Sequence, residues 1–230
     1  MFNHCVTYEI PDLVRVTGAD GKRYYTTPDG DRFPSVTTVL GAKDKPYLRE
    51  WRNRVGEQEA NRITRISSTR GTNLHTLCER YLKNEKTIGK GIMPDALEMF
   101  RSIQPYINKI NNIHCLEKQL WSKQLKLAGT TDCIAEFENV LSVIDFKNSR
   151  RVKKLEDIED YFLQCCAYAL MYEERTGLTV DQLVVIMAVE NEKPLLFIQK
   201  TEDYIMGLVR AIASYEVKND LVNTHSTTNV

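Results

Sequence analysis

Two carboxylates and an amine lie close together in the middle of the chain, in an arrangement that suits metal chemistry. Asp132 ends the segment 128–132, and a single residue separates Asp145 from Lys147. Neighbouring carboxylates repel each other unless something positive lies between them, and a divalent cation with oxygen ligands at about 2.0–2.1 Å fits such a gap. These residue types therefore indicate a metal-dependent attack on a phosphodiester.

The apolar pattern predicts a hairpin that brings the two carboxylates face to face. Two short apolar segments are joined by the polar pair Glu138-Asn139, which is typical of a two-residue turn. Asp132 and Asp145 each lie six residues from this turn, so they are antiparallel partners with Cβ atoms about 4.5–5.5 Å apart. Because strand side chains alternate, Lys147 shares the face of Asp145.

The alternative is that Asp132, Asp145 and Lys147 have structural roles only. In that case Asp132 ends a strand, Asp145 lies in a turn and Lys147 is a solvated charge at a sheet edge. The run 140–144 is apolar on both faces, which favours a central strand whose end lies near a core.

A helix that begins near residue 72 or 73 is predicted upstream. His75 and Glu79 lie four residues apart at the border of its apolar stripe, so the carboxylate could orient a metal-binding imidazole. A structural hydrogen bond of His75 is the alternative. The stripe consists of Leu74, Leu77, Cys78, Tyr81 and Leu82.

A second helix is predicted over residues 155–176, with Gly177 as its stop signal. Gln164 and Tyr168 pair at i, i+4 on its flank, where an amide and a phenol could hold a phosphate or a water; an ordinary helix edge is the alternative. Glu117, in the strand predicted at 115–122, could bind a second ion or a bridging water, or be a surface residue.

The ordered motifs resemble those of RecB-type exonucleases in the PD-(D/E)xK nuclease superfamily. The resemblance rests on His75, Gly129-Thr-Thr-Asp132, Asp145-Phe-Lys147 and Gln164-x-x-x-Tyr168. The segments 33–40, 50–52, 55–56 and 59–61 are similar to phage exonucleases related to the mitochondrial genome maintenance exonuclease.

This resemblance implies an α/β fold with a restriction-endonuclease-like core, in which helices flank a mixed central sheet. It also implies Mg²⁺- or Mn²⁺-dependent hydrolysis of DNA, often from a single-stranded end. His75, Asp132 and Asp145 would be metal ligands and Lys147 the catalytic lysine, while Asp132, Asp145, Gln164 and Tyr168 complete the predicted catalytic set.

The cysteines depart from the pattern of related nucleases that carry an iron–sulfur cluster. Those relatives have one cysteine far upstream and a closely spaced set near the C-terminus. Here no pair has C-x-x-C spacing and none lies beyond Cys166. The sequence therefore predicts no iron–sulfur cluster and reduced, buried thiols.

Charge is locally clustered although the formal net charge is zero. Residues 43–70 contain eight Lys or Arg against four Asp or Glu, and residues 147–154 contain five against none. Such surfaces are natural partners of backbone phosphates, although a charged run is often only a solvated face. The predicted DNA-binding residues are Arg49, Arg52, Arg62, Arg65, Arg70, Arg150, Arg151 and Lys153.

A chain of 230 residues with 42% hydrophobic content is expected to form a single domain. We predict an N-terminal hairpin and helical elaboration over 1–67, the nuclease core over 68–220 and a flexible tail over 221–230. Turns are expected at Asp20-Gly21 and Asp29-Gly30. Predicted helices are 46–66, 71–82, 94–113, 155–176 and a last one ending near 218; predicted strands are 115–122, 129–137, 140–147, 183–189 and 195–200.

Secretory and membrane-spanning patterns are missing from the sequence, because no apolar run exceeds eight residues and a membrane helix needs roughly 20. The expected location is the cytoplasm, that of the host if the chain is phage-encoded. Three functional hypotheses follow: a DNA exonuclease, a catalytically silent DNA-binding or assembly protein, and an endonuclease such as a junction resolvase.

Overall fold

A five-stranded mixed sheet forms the centre of the chain, in a computed structural model that describes residues 1–5 and 9–226 and side chains up to residue 219. A separate three-stranded antiparallel sheet precedes it. The strands are β1 (Val14–Thr17), β2 (Arg23–Thr26), β3 (Arg32–Pro34), β4 (Ile110–Ser122), β5 (Leu127–Phe137), β6 (Val140–Ser149), β7 (Gln182–Val189) and β8 (Leu195–Lys200). The helices are α1 (Val36–Gly41), α2 (Pro46–Val55), α3 (Glu57–Leu82), α4 (Pro94–Ile107), α5 (Glu159–Thr176) and α6 (Glu202–Ser226).

The strand order of the central sheet is β4-β5-β6-β7-β8. Strands β4, β5 and β6 form an antiparallel meander, β7 is parallel to β6, and β8 is antiparallel to β7. The parallel pair requires a crossover, which α5 provides. The predicted class, a mixed α/β fold with helices around a central sheet, is therefore confirmed.

The hairpin of β5 and β6 has the predicted register. Phe137 pairs with Val140, and the ladder continues to Cys133 opposite Ile144. Glu138 and Asn139 have φ values of 51° and 68°, as a two-residue turn with two left-handed residues requires. Asp132 and Asp145 follow directly after the last pair.

Two hydrophobic cores cover the two faces of the central sheet. Alternating strand residues separate them: Ile134 and Val143 belong to the core of α1, α5 and α6, whereas Ala135 and Ile144 belong to that of α3 and α4. The predicted stripe of α3 lies in the second core, where Leu74, Leu77, Cys78 and Leu82 are fully buried and Tyr81 is half-buried.

The helical break predicted between residues 66 and 71 is wrong. The chain breaks at Gly56, whose φ is 85°, and α3 then runs without interruption through Gly71. A Cβ atom at Gly71 would lie 2.9 Å from Oδ1 of Asn148, and Asn148 donates from Nδ2 to the carbonyl of Ser67 at 3.2 Å. Gly71 therefore permits close packing of α3 on the end of β6 and does not begin a helix.

The predicted helix over 94–113 is too long. α4 ends at Ile107, and β4 begins at Ile110 with an irregular register up to Cys115. Ile107, Ile110 and Ile113 are all buried, and their spacing of three fits a helical stripe although the last two lie in a strand. The same apolar spacing therefore occurs across a helix-to-strand boundary.

The other boundaries agree more closely with the sequence. The turns at Asp20-Gly21 and Asp29-Gly30 are present, with Gly21 and Gly30 at positive φ, but they join three strands where a hairpin is predicted. α5 ends at Gly177 with a φ of 75°. The backbone of α6 extends to Ser226, past the predicted end near 218, and residues 227–230 of the predicted tail lie outside the described residues.

We expect that Gly129→Ala lowers the free energy of unfolding by about 1–3 kcal/mol, because the added methyl group overpacks the core. A Cβ atom there would lie 2.7 Å from the hydroxyl oxygen and 2.8 Å from Cε1 of buried Tyr168, which α5 places against β5. Urea denaturation measures the change. The matched control is Gly41→Ala, whose Cβ would have nothing within 4 Å; equal stability of the two variants would contradict the close approach.

Candidate active site

Three neighbouring strands bring one carboxylate each into a row across the central sheet. Glu117 in β4 is bracketed by the pairs Leu116–Cys133 and Lys118–Thr131, so it lies opposite Asp132 in β5. On the other side of Asp132, β6 carries Asp145, which follows the pair Cys133–Ile144. The row is thus set by strand register.

The backbone fixes two of these carboxylates. Asp132 accepts a hydrogen bond at Oδ2 from the backbone N–H of Phe146 at 2.9 Å. Glu117 has a φ of 48°, a left-handed conformation that costs a non-glycine residue about 1 kcal/mol or more. The backbone of β4 therefore departs from regular strand conformation at Glu117, while the register on either side of it is unchanged.

His75 reaches the row from α3. Its Nδ1 lies 3.4 Å from Oδ1 of Asp132 and 4.0 Å from Oε1 of Glu117. The predicted pairing of His75 with Glu79 is wrong, because the Glu79 carboxylate forms an ion pair with Lys83 at 2.6 Å. Asp132 and Glu117 therefore take the place expected of Glu79.

Asp145 and Lys147 form an ion pair beside this group, as their shared strand face predicts. Both side chains are largely buried, with exposed fractions of 3% and 17%. The Lys147 ammonium also lies 5.0 Å from the ring centroid of Tyr161 in α5. Asp145 thus stands next to the three-residue group of His75, Glu117 and Asp132, with its charge directed to Lys147.

Opposite charges at close range change the proton affinities of His75 and Asp132. Burial alone would lower the pKa of His75, but the Asp132 carboxylate outweighs burial and raises that pKa to about 9. Burial alone would raise the pKa of Asp132, whereas His75, Lys147 and the N–H of Phe146 together hold it below its usual value. The two side chains therefore favour a charged pair.

The other two carboxylates have raised pKa values. Burial, reinforced by the Asp132 charge, raises the pKa of Glu117 to about 7. Burial also raises the pKa of Asp145 to about 6, although Lys147 opposes this shift. For Lys147 itself, burial lowers the pKa but the carboxylates of Asp145 and Asp132 outweigh burial and raise it. The site therefore holds more negative charge than its own cations neutralise.

These residues fit a divalent metal ion. His75, Glu117 and Asp132 each offer a ligand atom, and the three atoms lie within 4.8 Å of one another. Asp145 Oδ2 is buried beside Lys147 and accepts no hydrogen bond of regular geometry from the residues that the structure describes. A dication would supply the positive charge that the carboxylates lack.

Tyr168 approaches the same site from α5, one helical turn after Gln164. Tyr168 is buried and lies near Asp132 and Asp145. Burial raises the pKa of its hydroxyl, although a hydrogen bond with Gln164 opposes this shift. The phenol is therefore protonated at neutral pH. The predicted pairing of these two residues on one helix flank is present, and their role in catalysis stays a prediction.

Two tyrosines near the site are absent from the sequence-based prediction. Tyr161 precedes Gln164 by one helical turn and contacts Lys147, so its spacing to Gln164 and Tyr168 was the available signal. Tyr25 comes from β2 and is buried, with its hydroxyl 3.3 Å from Oγ1 of Thr130. No local pattern links β2 to β5, because they meet only in the folded chain.

The predicted DNA-binding residues occupy different environments. Arg70 is 11% exposed and is held between Asp95 and Glu190, at 2.8 and 3.0 Å, so its guanidinium is engaged inside the protein and not on a phosphate-binding surface. Exposed ion pairs join Arg49 to Asp44, Arg52 to Glu57, Arg62 to Glu59 and Arg150 to Glu190; Arg65 and Arg151 are exposed and Lys153 is half-buried.

The six cysteines are free thiols, and five of them are buried. Cys5 is half-buried, and Cys78, Cys115, Cys133, Cys165 and Cys166 are buried, all as free thiols. Across residues 1–5 and 9–226, no helix combines the length and apolar character needed to cross a bilayer.

The chain is similar in sequence to curated exonucleases from vertebrates. The chain is 27% identical over 173 residues to mitochondrial genome maintenance exonuclease 1 of Mus musculus, covering 70% of this chain and 51% of that protein. The protein of the same name from Homo sapiens is 26% identical over 176 residues, with coverage of 70% and 51%. The chain therefore spans about half the length of the curated relatives it matches.

A solved structure from Eubacterium rectale, provisionally named an exonuclease, has a TM-score of 0.45 and 13% identity, covering 71% of this chain and 68% of that one. The sequence model of the PD-(D/E)XK nuclease superfamily matches residues 39–214, a range that includes every candidate ligand and Lys147. This chain belongs to the PD-(D/E)XK nuclease superfamily.

Proposed function

We propose that this chain is a metal-dependent DNA exonuclease that hydrolyses phosphodiester bonds from single-stranded ends. The observation that carries the proposal is the convergence of His75, Glu117 and Asp132 beside the Asp145–Lys147 ion pair, in a chain of a nuclease superfamily. The exonuclease name of its relatives and its resemblance to phage exonucleases extend the proposal to the recombination, repair or degradation of phage DNA.

The proposed metal ligands are His75, Glu117, Asp132 and Asp145, and the proposed ion is Mg²⁺ or Mn²⁺. Carboxylate oxygens suit both ions, and an imidazole nitrogen is acceptable to Mn²⁺. When bound, such an ion would polarise the phosphate and make water a better nucleophile. The side chains themselves contribute geometry: the hydrogen bond from Phe146 fixes Asp132, and the left-handed backbone directs Glu117.

Lys147 is proposed to orient the attacking water or to offset negative charge on the phosphoryl group. Its raised pKa keeps the ammonium charged at neutral pH. Gln164 and Tyr168 are proposed to donate hydrogen bonds from α5 to the phosphate or to a water, since an amide and a protonated phenol are donors. Positioning and electrostatics carry catalysis at a phosphoryl centre, because little covalent work is left to the protein.

The proposed DNA surface consists of the exposed cations on α2, on the first half of α3 and after β6. Every residue of α2 is exposed or half-buried, so the helix leaves its arginines accessible. Exposed ion pairs such as Arg49–Asp44 contribute about 0–1 kcal/mol, which makes their exchange for phosphate contacts inexpensive. Arg70 is omitted from this surface because of its buried pairing.

A catalytically silent DNA-binding protein is the competing hypothesis. Such a protein gains nothing from three adjacent carboxylates, two of which have pKa values raised by burial and by the nearby Asp132 charge. Holding three carboxylates together has an electrostatic cost, and a bound metal ion would offset that cost. This argument favours the nuclease.

Removal of the metal or of Lys147 is expected to abolish degradation. Labelled single-stranded DNA should be degraded with Mg²⁺ or Mn²⁺ and remain intact with EDTA, while Asp145→Asn and Lys147→Met should lower kcat about 10²-fold or more. The matched control is Lys200→Met, since Lys200 pairs with Glu202 at the same two-residue spacing but on the surface. Binding of DNA without degradation under every condition would support the silent protein.

A free DNA end is expected to be required. Linear single strands should be degraded, whereas covalently closed circular single strands of the same sequence should persist over the same time. Gel analysis of both substrates in one reaction provides an internal control for activity. Cleavage of the circle at a comparable rate would identify an endonuclease and overturn the exonuclease mode.

Metal binding is expected to be measurable without any reaction. At a free Mn²⁺ concentration of about 100 times Kd, the folded state gains about 2.7 kcal/mol, seen as a raised melting temperature. Glu117→Gln should reduce this gain and should raise the stability of the metal-free protein, because one poorly compensated carboxylate is removed. Glu202→Gln, on an exposed residue, is the control, and an unchanged Mn²⁺ response in Glu117→Gln would exclude Glu117 as a ligand.

A further inference from the structure

Lys147 has a second close neighbour besides Asp145. Its Nζ lies 5.0 Å from the ring centroid of Tyr161, inside the range of about 6 Å over which an ammonium is attracted to an aromatic ring. The Lys147 side chain is 17% exposed. Because water competes little at such a site, the attraction is stronger than it is between exposed residues.

The position of Tyr161 is fixed by the first turn of α5. Asp160, the preceding residue, pairs with Lys45 at 2.9 Å, and Glu159 pairs with Lys43 at 3.6 Å. These two contacts attach the helix start to the segment before α2. The ring is thus presented to β6 from a helix start that is attached to a second segment of the chain.

A lysine side chain needs such restraint if its ammonium is to act at a defined point. Four methylene groups give it large rotational freedom, and its charge has no preferred plane. Asp145 attracts the ammonium but belongs to the same strand, two residues away. The Tyr161 ring supplies a contact from a different element, α5, and so limits where Nζ can lie.

We propose that Tyr161 is a positioning residue that holds the Lys147 ammonium in place for the reaction. This inference rests on the proposed nuclease function for its consequence in catalysis. The aromatic ring is the active component and the hydroxyl is dispensable. Phenylalanine therefore replaces tyrosine at this position without loss, whereas leucine does not.

The first test observes Lys147 directly and needs no activity. In protein labelled with ¹³C-lysine, the Hε signals of Lys147, assigned by their loss in Lys147→Met, should carry a ring-current shift in the wild type and in Tyr161→Phe. Tyr161→Leu should move them toward the values of an ordinary lysine. Unmoved signals in Tyr161→Leu would overturn the proposal.

The chain offers a matched control for this measurement. Lys109 pairs with the Glu138 carboxylate at 2.8 Å and lies 5.8 Å from the ring centroid of Tyr106, the same three residue classes outside the site. Tyr106→Leu should shift the Lys109 signals and leave those of Lys147 and the nuclease activity unchanged.

The second test uses a double-mutant cycle. Tyr161→Leu should lower kcat about 3- to 30-fold, the range expected for loss of a partly buried cation–π contact, with KM changed less than about twofold. In the Lys147→Met background the same substitution should have no further effect. An additive loss, or equal impairment of Tyr161→Phe, would show that Tyr161 acts elsewhere and overturn the proposal.

The two tests separate failure of this inference from failure of the proposed function. If the wild type degrades no DNA under any metal condition, the nuclease proposal fails, while the NMR comparison still decides whether the ring holds Lys147. If the wild type is active and Tyr161→Leu retains the ring-current shift, the nuclease proposal stands and the positioning role fails.

Discussion

Repulsion between carboxylates on adjacent strands is the constraint on which the site depends. Two unit charges about 4 Å apart repel by about 4 kcal/mol at an effective dielectric constant of 20. Glu117, Asp132 and Asp145 are nevertheless held in one row by the register of β4, β5 and β6. A slip of one residue in either pairing would turn a carboxylate to the opposite sheet face, so the two-residue turn at Glu138-Asn139 is as important to the site as the ligands.

Helix α3 brings His75 to the site and α5 brings Tyr168, and a glycine allows the close approach of each helix. Gly71, four residues before His75, lets α3 lie against Asn148. Gly129 leaves room for the Tyr168 ring. The first contact holds α3 at the end of β6, and the second holds α5 against β5, the strand that carries Asp132. The positions of the helices therefore follow from local packing, and the geometry of the site follows from the helices.

The sequence predicts what short-range periodicity determines. Equal spacing from one turn is enough to place Asp132 and Asp145 directly after the last pair of the hairpin, and strand alternation is enough to join Asp145 to Lys147. The role of Gly71 cannot be predicted in this way, because a glycine that permits close packing inside a helix and a glycine at a helix boundary are identical in sequence. The predicted contact between His75 and Glu79 is wrong for a related reason. Glu79 has the right spacing to His75, but it has the same spacing to Lys83 and forms an ion pair with that residue. Contacts between distant segments, such as Tyr25 with Thr130, have no local signal at all.

Counting charges along the chain predicts where cations lie but not which of them are available. Arg52 and Arg62 pair with carboxylates that are 72% and 45% exposed, so water competes for both partners and the pairs contribute little free energy. Arg70 belongs to the same basic segment, yet its own side chain is only 11% exposed and pairs with both Asp95 and Glu190, so breaking these pairs would leave a largely buried cation uncompensated. A phosphate can therefore replace the carboxylate partners of Arg52 and Arg62 at a small cost in free energy. Replacing those of Arg70 costs more. Burial of the cation and its number of partners, more than the density of positive charge, separate an arginine that can bind nucleic acid from one that holds the fold together.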